Sequence, residues 1–233
     1  MNLKNGNRAG DPQRTRVKVC GLTRRDDVRA AVDAGVDAIG LVFYPPSRRY
    51  LNAGAAATLR DLVPAFVDTV ALFVNPSVAD VREVIEAVGP DLLQFHGEES
   101  PQFCTQFGVR YLKGFRVGAP GQDTADALAA HCAAHGRAAA WLFDSFSQGY
   151  GGSGTSLDPA LLREVARAPD ARPLVLAGGL SAGNVGARVA ELRPYAVDVS
   201  SGVEESPGLK DPARIVEFMR AVRAADAQAA IDT

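Results

Sequence analysis

Arg16-Val17-Lys18-Val19-Cys20-Gly21 is a short, mostly apolar run that ends in a reactive side chain followed by a glycine. A parallel strand that is buried on both faces reads as such a run. A second run of this kind, Ala140-Trp141-Leu142-Phe143-Asp144, ends in a carboxyl group. Barrels of parallel strands carry their chemistry at the carboxyl ends of the strands. Both stretches therefore predict parallel strands whose last residues do chemistry.

Runs of this type recur eight times, and patterns with helical spacing lie between them. The runs are residues 17–20, 38–43, 69–74, 92–96, 111–117, 140–144, 173–177 and 196–200. Helix-capping residues stand where helices should begin, as in Ser77 before Val78 and Asp211 before Pro212. Strict alternation of strand and helix implies parallel strands joined by right-handed crossovers. Eight units favour an α/β fold, a single eight-stranded (β/α)8 TIM barrel.

The barrel domain is predicted to span residues 15–225, with poorly ordered tails at residues 1–14 and 226–233. The competing fold is an open, doubly wound sheet, which would carry a GxGxxG motif directly after its first strand. The match to that motif, at residues 149–154, follows the sixth run instead. We interpret it as a flexible loop and not as a dinucleotide site.

Composition excludes several classes of protein. The chain has 25 Lys and Arg against 27 Asp and Glu, so its net charge of −2 indicates neither a nucleic-acid partner nor a membrane surface. No apolar stretch approaches the roughly 18 residues of a membrane span, and the first fifteen residues lack the apolar segment of a secretory signal. Three cysteines without paired spacing fit a reducing compartment. We expect a cytoplasmic protein that acts on a small molecule; no leftover apolar helix face predicts an oligomeric state.

Four chemically active side chains are expected at one mouth of the barrel. Alternate residues of each strand point inward, and the last inward residues of strands one, four, six and eight are Cys20, His96, Asp144 and Ser200. Free cysteine is usually a small buried hydrophobe, and an aspartate after a strand often only caps local amides. Because a turn follows Cys20 at once, we interpret it as lying at an exposed lip. A thiol and a carboxyl group across one mouth are a candidate base and acid.

Two glycine- and serine-rich turns follow the seventh and eighth runs, namely Ala177-Gly178-Gly179-Leu180-Ser181 and Ser200-Ser201-Gly202-Val203. Glycine lets the backbone come close to an anion, and N–H groups at the start of a following helix point towards it. Barrels of this type often hold a phosphate group between the loops after strands seven and eight. The predicted phosphate-binding residues are Gly178, Gly179, Ser200, Ser201 and Gly202.

Two further pairs of residues carry charge near the predicted mouth. Arg48 and Arg49 follow the second strand, where an arginine can bind a carboxylate with two hydrogen bonds, although paired arginines are usually solvated surface charge. Lys18 and Asp198 lie on strands one and eight, which meet where the barrel closes, and both should point inward. We predict a buried ion pair whose ammonium also favours the thiolate of Cys20. The alternative is that either side chain extends to the barrel floor.

The order and spacing of these motifs resemble the phosphoribosylanthranilate isomerase family of tryptophan biosynthesis, over residues 16–222. The motifs are Lys18-Val19-Cys20-Gly21-Leu22-Thr23, Ser47-Arg48-Arg49-Tyr50, Leu93-Gln94-Phe95-His96-Gly97-Glu98, Phe143-Asp144-Ser145, Tyr150-Gly151-Gly152-Ser153-Gly154, Ala177-Gly178-Gly179-Leu180 and Val197-Asp198-Val199-Ser200-Ser201-Gly202-Val203-Glu204. One departure is Leu157-Asp158-Pro159, where the family usually shows Phe-Asp-Trp. That difference should alter packing at the start of the sixth helix.

The resemblance implies an Amadori rearrangement of N-(5-phosphoribosyl)anthranilate to 1-(2-carboxyphenylamino)-1-deoxyribulose 5-phosphate. It assigns the general base to Cys20, the general acid to Asp144 and the contact to the anthranilate carboxylate to Arg49. It also places His96 at the aromatic side of the pocket and the phosphate on the two glycine turns. Neither a cofactor nor a metal ion is expected, and the His131 and His135 pair lacks the glutamate of an HExxH site.

Three alternatives remain open on the sequence. A histidine-pathway isomerase acting on an aminoimidazole ribotide does the same rearrangement with two aspartates, and Cys20 in place of the first argues against it. Action on both substrates is compatible with the sequence. A non-catalytic barrel that only binds a phosphorylated metabolite would need neither a thiol nor a carboxyl group at its mouth.

Overall fold

The structure, a computed structural model, describes residues 14–145 and 159–231. Eight parallel strands close into a barrel in chain order, and β1 pairs with β8. The strands are β1 Arg16–Cys20, β2 Ala38–Val42, β3 Asp68–Phe73, β4 Leu92–Phe95, β5 Tyr111–Val117, β6 Ala140–Ser145, β7 Leu174–Leu176 and β8 Ala196–Val199. The predicted barrel is confirmed, and the ends of each predicted run lie within one residue of the observed strand.

Helices alternate with the strands and surround them. They are α1 Arg25–Ala34, α2 Ala53–Arg60, α3 Val78–Val88, α4 Pro101–Thr105, α5 Ala125–Ala134, α6 Pro159–Ala166, α7 Ala182–Leu192 and α8 Pro212–Ile231. The predicted caps are present: the Ser77 side chain accepts from the backbone N–H of Asp80, and the Asp211 carboxylate accepts from that of Ala213 at 2.8 Å. Between β8 and α8, β9 Glu204–Ser206 and β10 Leu209–Lys210 form an antiparallel ribbon.

The barrel interior is apolar at its floor and polar towards the carboxyl ends of the strands. A large apolar core fills the layer between strands and helices, and a smaller one, which includes Val70, Leu112, Leu142 and Val175, fills the floor of the barrel. Successive residues of a strand face these two layers alternately, as a closed barrel requires. On the inner face, Cys20, Asp144 and Asp198 lie towards the carboxyl ends of their strands and line the mouth.

The last helix continues beyond the predicted domain boundary at residue 225. Residues 226–231, assigned from the sequence to a tail, continue α8 to Ile231. The carboxylate of Asp226 accepts hydrogen bonds from the backbone N–H and the hydroxyl of Thr15, at 2.8 and 2.7 Å. This contact ties the end of α8 to the start of β1. Residues 1–13, the glycine-rich segment 149–154 and Leu157-Asp158 lie outside the described residues.

None of the helices in the described ranges combines the length and the apolar character that crossing a membrane requires.

Candidate active site

A cavity opens at the carboxyl ends of the strands, and the predicted site residues converge on it. Those that line it are Cys20, Arg49, His96, Asp144, Gly178, Gly179, Asp198, Ser200 and Ser201. They come from six of the eight strands or from the loops that follow those strands, so only the closed barrel brings them together. The thiol and the carboxyl group thus share one cavity, as predicted from strand alternation.

The predicted ion pair beneath the mouth is present. Lys18 and Asp198 are paired in the register of β1 and β8, and Lys18 Nζ lies 2.9 Å from Asp198 Oδ1. Both residues are buried, with exposed fractions of 4% and 9%. Burial lowers the pKa of Lys18, but the carboxylate of Asp198 and the Cys20 thiol outweigh that effect, so the pKa is raised. The lysine therefore remains a cation directly below the thiol.

Cys20 is buried, which corrects the prediction of an exposed lip. Its exposed fraction is 6%, although its side chain lines the cavity. Burial raises the pKa of the thiol, and Asp198 adds to the rise, whereas Lys18 lowers it through its charge and a hydrogen bond. The predicted effect of Lys18 on the thiolate thus has the right sign, but desolvation exceeds it. Gly40 leaves room for the sulfur, because a Cβ there would lie 2.7 Å from Sγ.

Replacing Lys18 by methionine tests this arrangement. We expect the free energy of unfolding to fall by about 3–5 kcal/mol, because Asp198 would be left as an unpaired buried charge. We also expect the pKa of Cys20 to rise further, since its nearest cation is lost. Urea denaturation and thiol titration measure the two effects. The control is Arg29→Met, which removes an exposed ion pair to Asp26 and should change stability little; no change in Lys18→Met would contradict the expectation.

Asp144, the last residue but one of β6, contacts a histidine that follows β4. His96 Nε2 lies 3.4 Å from Asp144 Oδ2, and the other ring nitrogen, Nδ1, lies 3.3 Å from the side-chain amide of Gln94. The second carboxyl oxygen, Oδ1, is buried and has no hydrogen-bond partner among the described residues. The histidine thus contacts one oxygen of the carboxyl group, and the other lies against the turn at Gly178.

Gly178 fixes the position of this carboxyl group, which gives a second prediction. Its φ is +82°, and a Cβ at this position would lie 2.5 Å from Asp144 Oδ1 and 2.6 Å from the backbone nitrogen of Ser145. Gly178→Ala should therefore displace Asp144 and strain the turn, and a displacement of this size lowers catalytic rates by about 10²-fold. Steady-state kinetics check it. Gly186→Ala, in the middle of α7, is the control, because an added Cβ there would meet only the carbonyl oxygen of Ala221, at 3.9 Å. Equal rates for the two variants would contradict the expectation.

The two glycine-rich turns lie against each other. Gly178 and Gly179 both have positive φ, and a Cβ on Gly202 would collide with the carbonyl oxygen of Leu180. The Ser200 hydroxyl donates to the Cys20 carbonyl oxygen at 3.0 Å, which ties the eighth strand's turn to the first strand. Backbone turns of this kind in front of the N-terminus of α7 suit an anionic group.

Arg49 reaches the mouth from the loop after β2, and its guanidinium pairs with a carboxylate that the sequence analysis did not single out. Arg49 Nε donates to Glu204 Oε1 at 2.7 Å, and Nη2 donates to Oε2 at 2.5 Å. Lys210 Nζ donates to the same Glu204 Oε1 at 2.8 Å. Glu204 ends the motif Val197–Glu204. No sequence pattern indicates that its side chain is buried against Arg49, which is 155 residues away in sequence.

Comparison with known proteins agrees with this geometry. A family model described as N-(5'phosphoribosyl)anthranilate (PRA) isomerase matches residues 17–221. The chain belongs to the phosphoribosylanthranilate isomerase family. It is 60% identical to the N-(5'-phosphoribosyl)anthranilate isomerase of Bordetella petrii over 213 residues, which cover 91% of this chain and 97% of the relative.

Solved structures of phosphoribosylanthranilate isomerases share the fold over nearly their whole length. The enzyme from Thermotoga maritima has a TM-score of 0.80 and 34% identity, with 90% of this chain and 99% of that chain covered. A second structure shows such an isomerase in complex with reduced 1-(o-carboxyphenylamino)-1-deoxyribulose 5-phosphate. It has a TM-score of 0.75 and 32% identity, and the match again covers 90% of this chain and 99% of that chain. The resemblance seen in the motifs is thereby confirmed, and the individual residue roles stay predictions.

Proposed function

We propose that this phosphoribosylanthranilate isomerase rearranges N-(5'-phosphoribosyl)anthranilate with Asp144 as general acid and Cys20 as general base. The observation that supports the proposal is the single cavity that both side chains line, with an arginine and the glycine turns at its rim. The substrate is a small molecule with an aryl carboxylate at one end and a phosphate at the other. An arginine suits the first group and backbone turns suit the second.

Asp144 acts first. A protonated Asp144 donates its proton to the furanose ring oxygen while the bond between that oxygen and C1 breaks, and the anilinic nitrogen supplies the electron pair that forms the C=N bond. The product of this step is an open-chain, protonated Schiff base. The side chain of Asp144 lines the cavity, and His96 lies 3.4 Å from its Oδ2. A positioned acid contributes about 10²–10⁴ in rate.

Cys20 acts second. Its thiolate removes the proton from C2 of the open chain, the electrons move towards the imine nitrogen, and an enolamine results. Tautomerisation, in which C1 gains a proton and the C2 hydroxyl loses one, then gives the ketone. Carbon C1 is reduced and C2 is oxidised within one molecule, so the reaction consumes no external oxidant or reductant. Lys18 stabilises the thiolate when it forms.

Arg49 and the glycine turns bind the two ends of the substrate in this proposal, and the reaction takes place in the cytoplasm. Arg49 contacts the anthranilate carboxylate, His96 lies at the aromatic ring, and Gly178, Gly179 and the turn of Ser200 to Gly202 hold the phosphate. The experiment that tests the function follows the fluorescence of phosphoribosylanthranilate during incubation with purified protein. Loss of fluorescence is expected. Turnover of the aminoimidazole ribotide instead would favour the histidine-pathway alternative, and binding without turnover would favour a non-catalytic barrel.

A further inference from the structure

Glu204 forms a two-pronged contact with Arg49 at the edge of the cavity. Its carboxylate is 4% exposed, and both oxygens accept hydrogen bonds from the guanidinium. Burial alone would raise the pKa of Glu204, but hydrogen bonds from Arg49 and Lys210 lower it below its ordinary value. The glutamate is thus an anion held between two cations, at the start of the β9–β10 ribbon.

The contact with Glu204 occupies one edge of the Arg49 guanidinium and leaves a second edge without a partner among the described residues. Arginine carries five N–H donors in a planar fork, and Glu204 takes the edge made by Nε and Nη2. In the part of the chain that the structure describes, Nη1 of Arg49 has no hydrogen-bond partner. The end of the fork, Nη1 with the second N–H of Nη2, has the geometry to bind a second carboxylate side by side.

The aliphatic part of the Arg49 side chain is also held in place, by packing against Gly21. It crosses directly over Gly21, where a Cβ would collide with Arg49 Cδ and where φ is +78°. Gly21 is also the residue after Cys20, so the arginine lies beside the proposed base. With the aliphatic part held in place, the guanidinium can still rotate. The two hydrogen bonds to Glu204 fix that rotation.

Lys210 determines the net charge of this group. An arginine paired with a glutamate is neutral and would attract a substrate carboxylate weakly. Lys210 Nζ, which is buried, donates to Glu204 Oε1 at 2.8 Å and to the Ser200 carbonyl oxygen at 3.1 Å. Burial lowers the pKa of Lys210, whereas its hydrogen bond to Glu204 and the charge of that carboxylate oppose the fall. With Lys210 protonated, two cations and one anion leave one net positive charge. The site is therefore rigid and still attractive to an anion.

We propose that Glu204 is a positioning residue that turns the outer edge of Arg49 towards the substrate's aryl carboxylate, and thereby gives the enzyme its selectivity for ortho-carboxylated anilines. The inference rests on the proposed function, in which Arg49 binds that carboxylate. Lys210 supplies the charge that Glu204 would otherwise cancel. Simple charge arithmetic makes the opposite prediction, because removing an anion near the subsite should strengthen the binding of a carboxylate.

The test compares two ligands in calorimetric binding: reduced 1-(o-carboxyphenylamino)-1-deoxyribulose 5-phosphate and the same compound without its carboxyl group. The measured quantity is the ratio of their dissociation constants. Wild type should prefer the carboxylated ligand. Glu204→Gln should reduce that preference by at least about tenfold, through weaker binding of the carboxylated ligand alone. Glu205→Gln, the same change at an exposed neighbour, is the matched control and should keep the wild-type ratio.

The outcomes separate this inference from the proposed function. If Arg49→Met keeps the preference, Arg49 does not bind the carboxylate and the proposed subsite is wrong. If Arg49→Met loses the preference while Glu204→Gln keeps or increases it, the role of Arg49 stands and the inference about Glu204 is overturned. Equal weakening of both ligands in Glu204→Gln would show a purely structural role and would also overturn it. Should that variant not fold, the same ratio in Glu204→Asp, whose carboxylate is one methylene shorter, decides with the same criteria.

Discussion

Asp144→Asn is expected to lower kcat by about 10²–10⁴-fold, the range that a positioned general acid contributes. The amide has nearly the same shape as the carboxyl group and can keep the contact to His96, but it has no acidic proton to give to the furanose oxygen. Ligand binding should therefore change far less than turnover. Steady-state rates with phosphoribosylanthranilate, together with the dissociation constant of the reduced product analogue, check both parts.

The control for this variant is Asp26→Asn, which makes the same change at a carboxyl group on α1 whose side chain is 76% exposed. It should turn over substrate at the wild-type rate. A folded Asp144→Asn variant that is as fast as this control would show that another group protonates the ring oxygen. A variant that loses turnover and ligand binding to the same degree would show that Asp144 binds the substrate and does not act as an acid.

Cys20→Ser is expected to lose a comparable factor of about 10²–10⁴ in kcat. A hydroxyl group fills the space of the thiol but does not ionise in the accessible pH range, so no base remains to remove the C2 proton. The matched control is Cys104→Ser, because Cys104 is buried outside the cavity and burial raises its pKa to about 12. The Cys104→Ser control should keep the wild-type rate. If Cys20→Ser is as fast as this control, the thiol of Cys20 is not the base.

The pH dependence of the wild type follows from the same thiol. Burial raises the pKa of Cys20, so the thiol in the free enzyme is mostly protonated at neutral pH and ionises as the pH rises. We therefore expect kcat/KM to increase with pH above neutrality, and we expect Cys20→Ser to lack this increase. In Lys18→Met the rise should begin at higher pH than in the wild type. A rate that falls as the thiol ionises would contradict its role as a base.

Local patterns were sufficient to predict the barrel and most of the mouth. Each strand is a short apolar run, and the alternation of side chains places Cys20 and Asp144 on the inner face whatever the details of packing. Barrel closure then makes the first and last strands neighbours, which is why the pairing of Lys18 with Asp198 could be inferred across 180 residues of sequence. Such predictions succeed because the fold repeats one unit.

Other features depend on contacts that no repeat specifies. The contact of Glu204 with Arg49 joins a ribbon after β8 to a loop after β2, and neither segment belongs to the repeating unit. The burial of Cys20 depends on its close packing against Gly40 and Lys18, and alternation predicts only the face of the strand on which the thiol lies. The end of α8 is fixed by the hydrogen bonds of Asp226 to Thr15, 211 residues away in sequence. The composition of residues 226–231 suggests a tail, because composition contains no information about hydrogen bonds to a distant residue.

The order of the two proton transfers separates the roles of the two side chains. Without its base, the enzyme should still open the furanose ring, so the Schiff base should accumulate in Cys20→Ala. Without its acid, the ring should stay closed in Asp144→Asn. Cyanoborohydride reduces an imine to a stable amine and leaves the closed ring intact, so it records how much of the open chain forms.

The most direct measurement is therefore the rate of formation of this reduced amine, followed by mass spectrometry, in the two variants and in a sample without enzyme. We predict that the Cys20→Ala variant forms the reduced amine faster than the enzyme-free sample does, and that the Asp144→Asn variant forms it no faster than that sample. The reverse pattern, with trapping in Asp144→Asn and none in Cys20→Ala, would contradict the assignment of acid and base to these two residues.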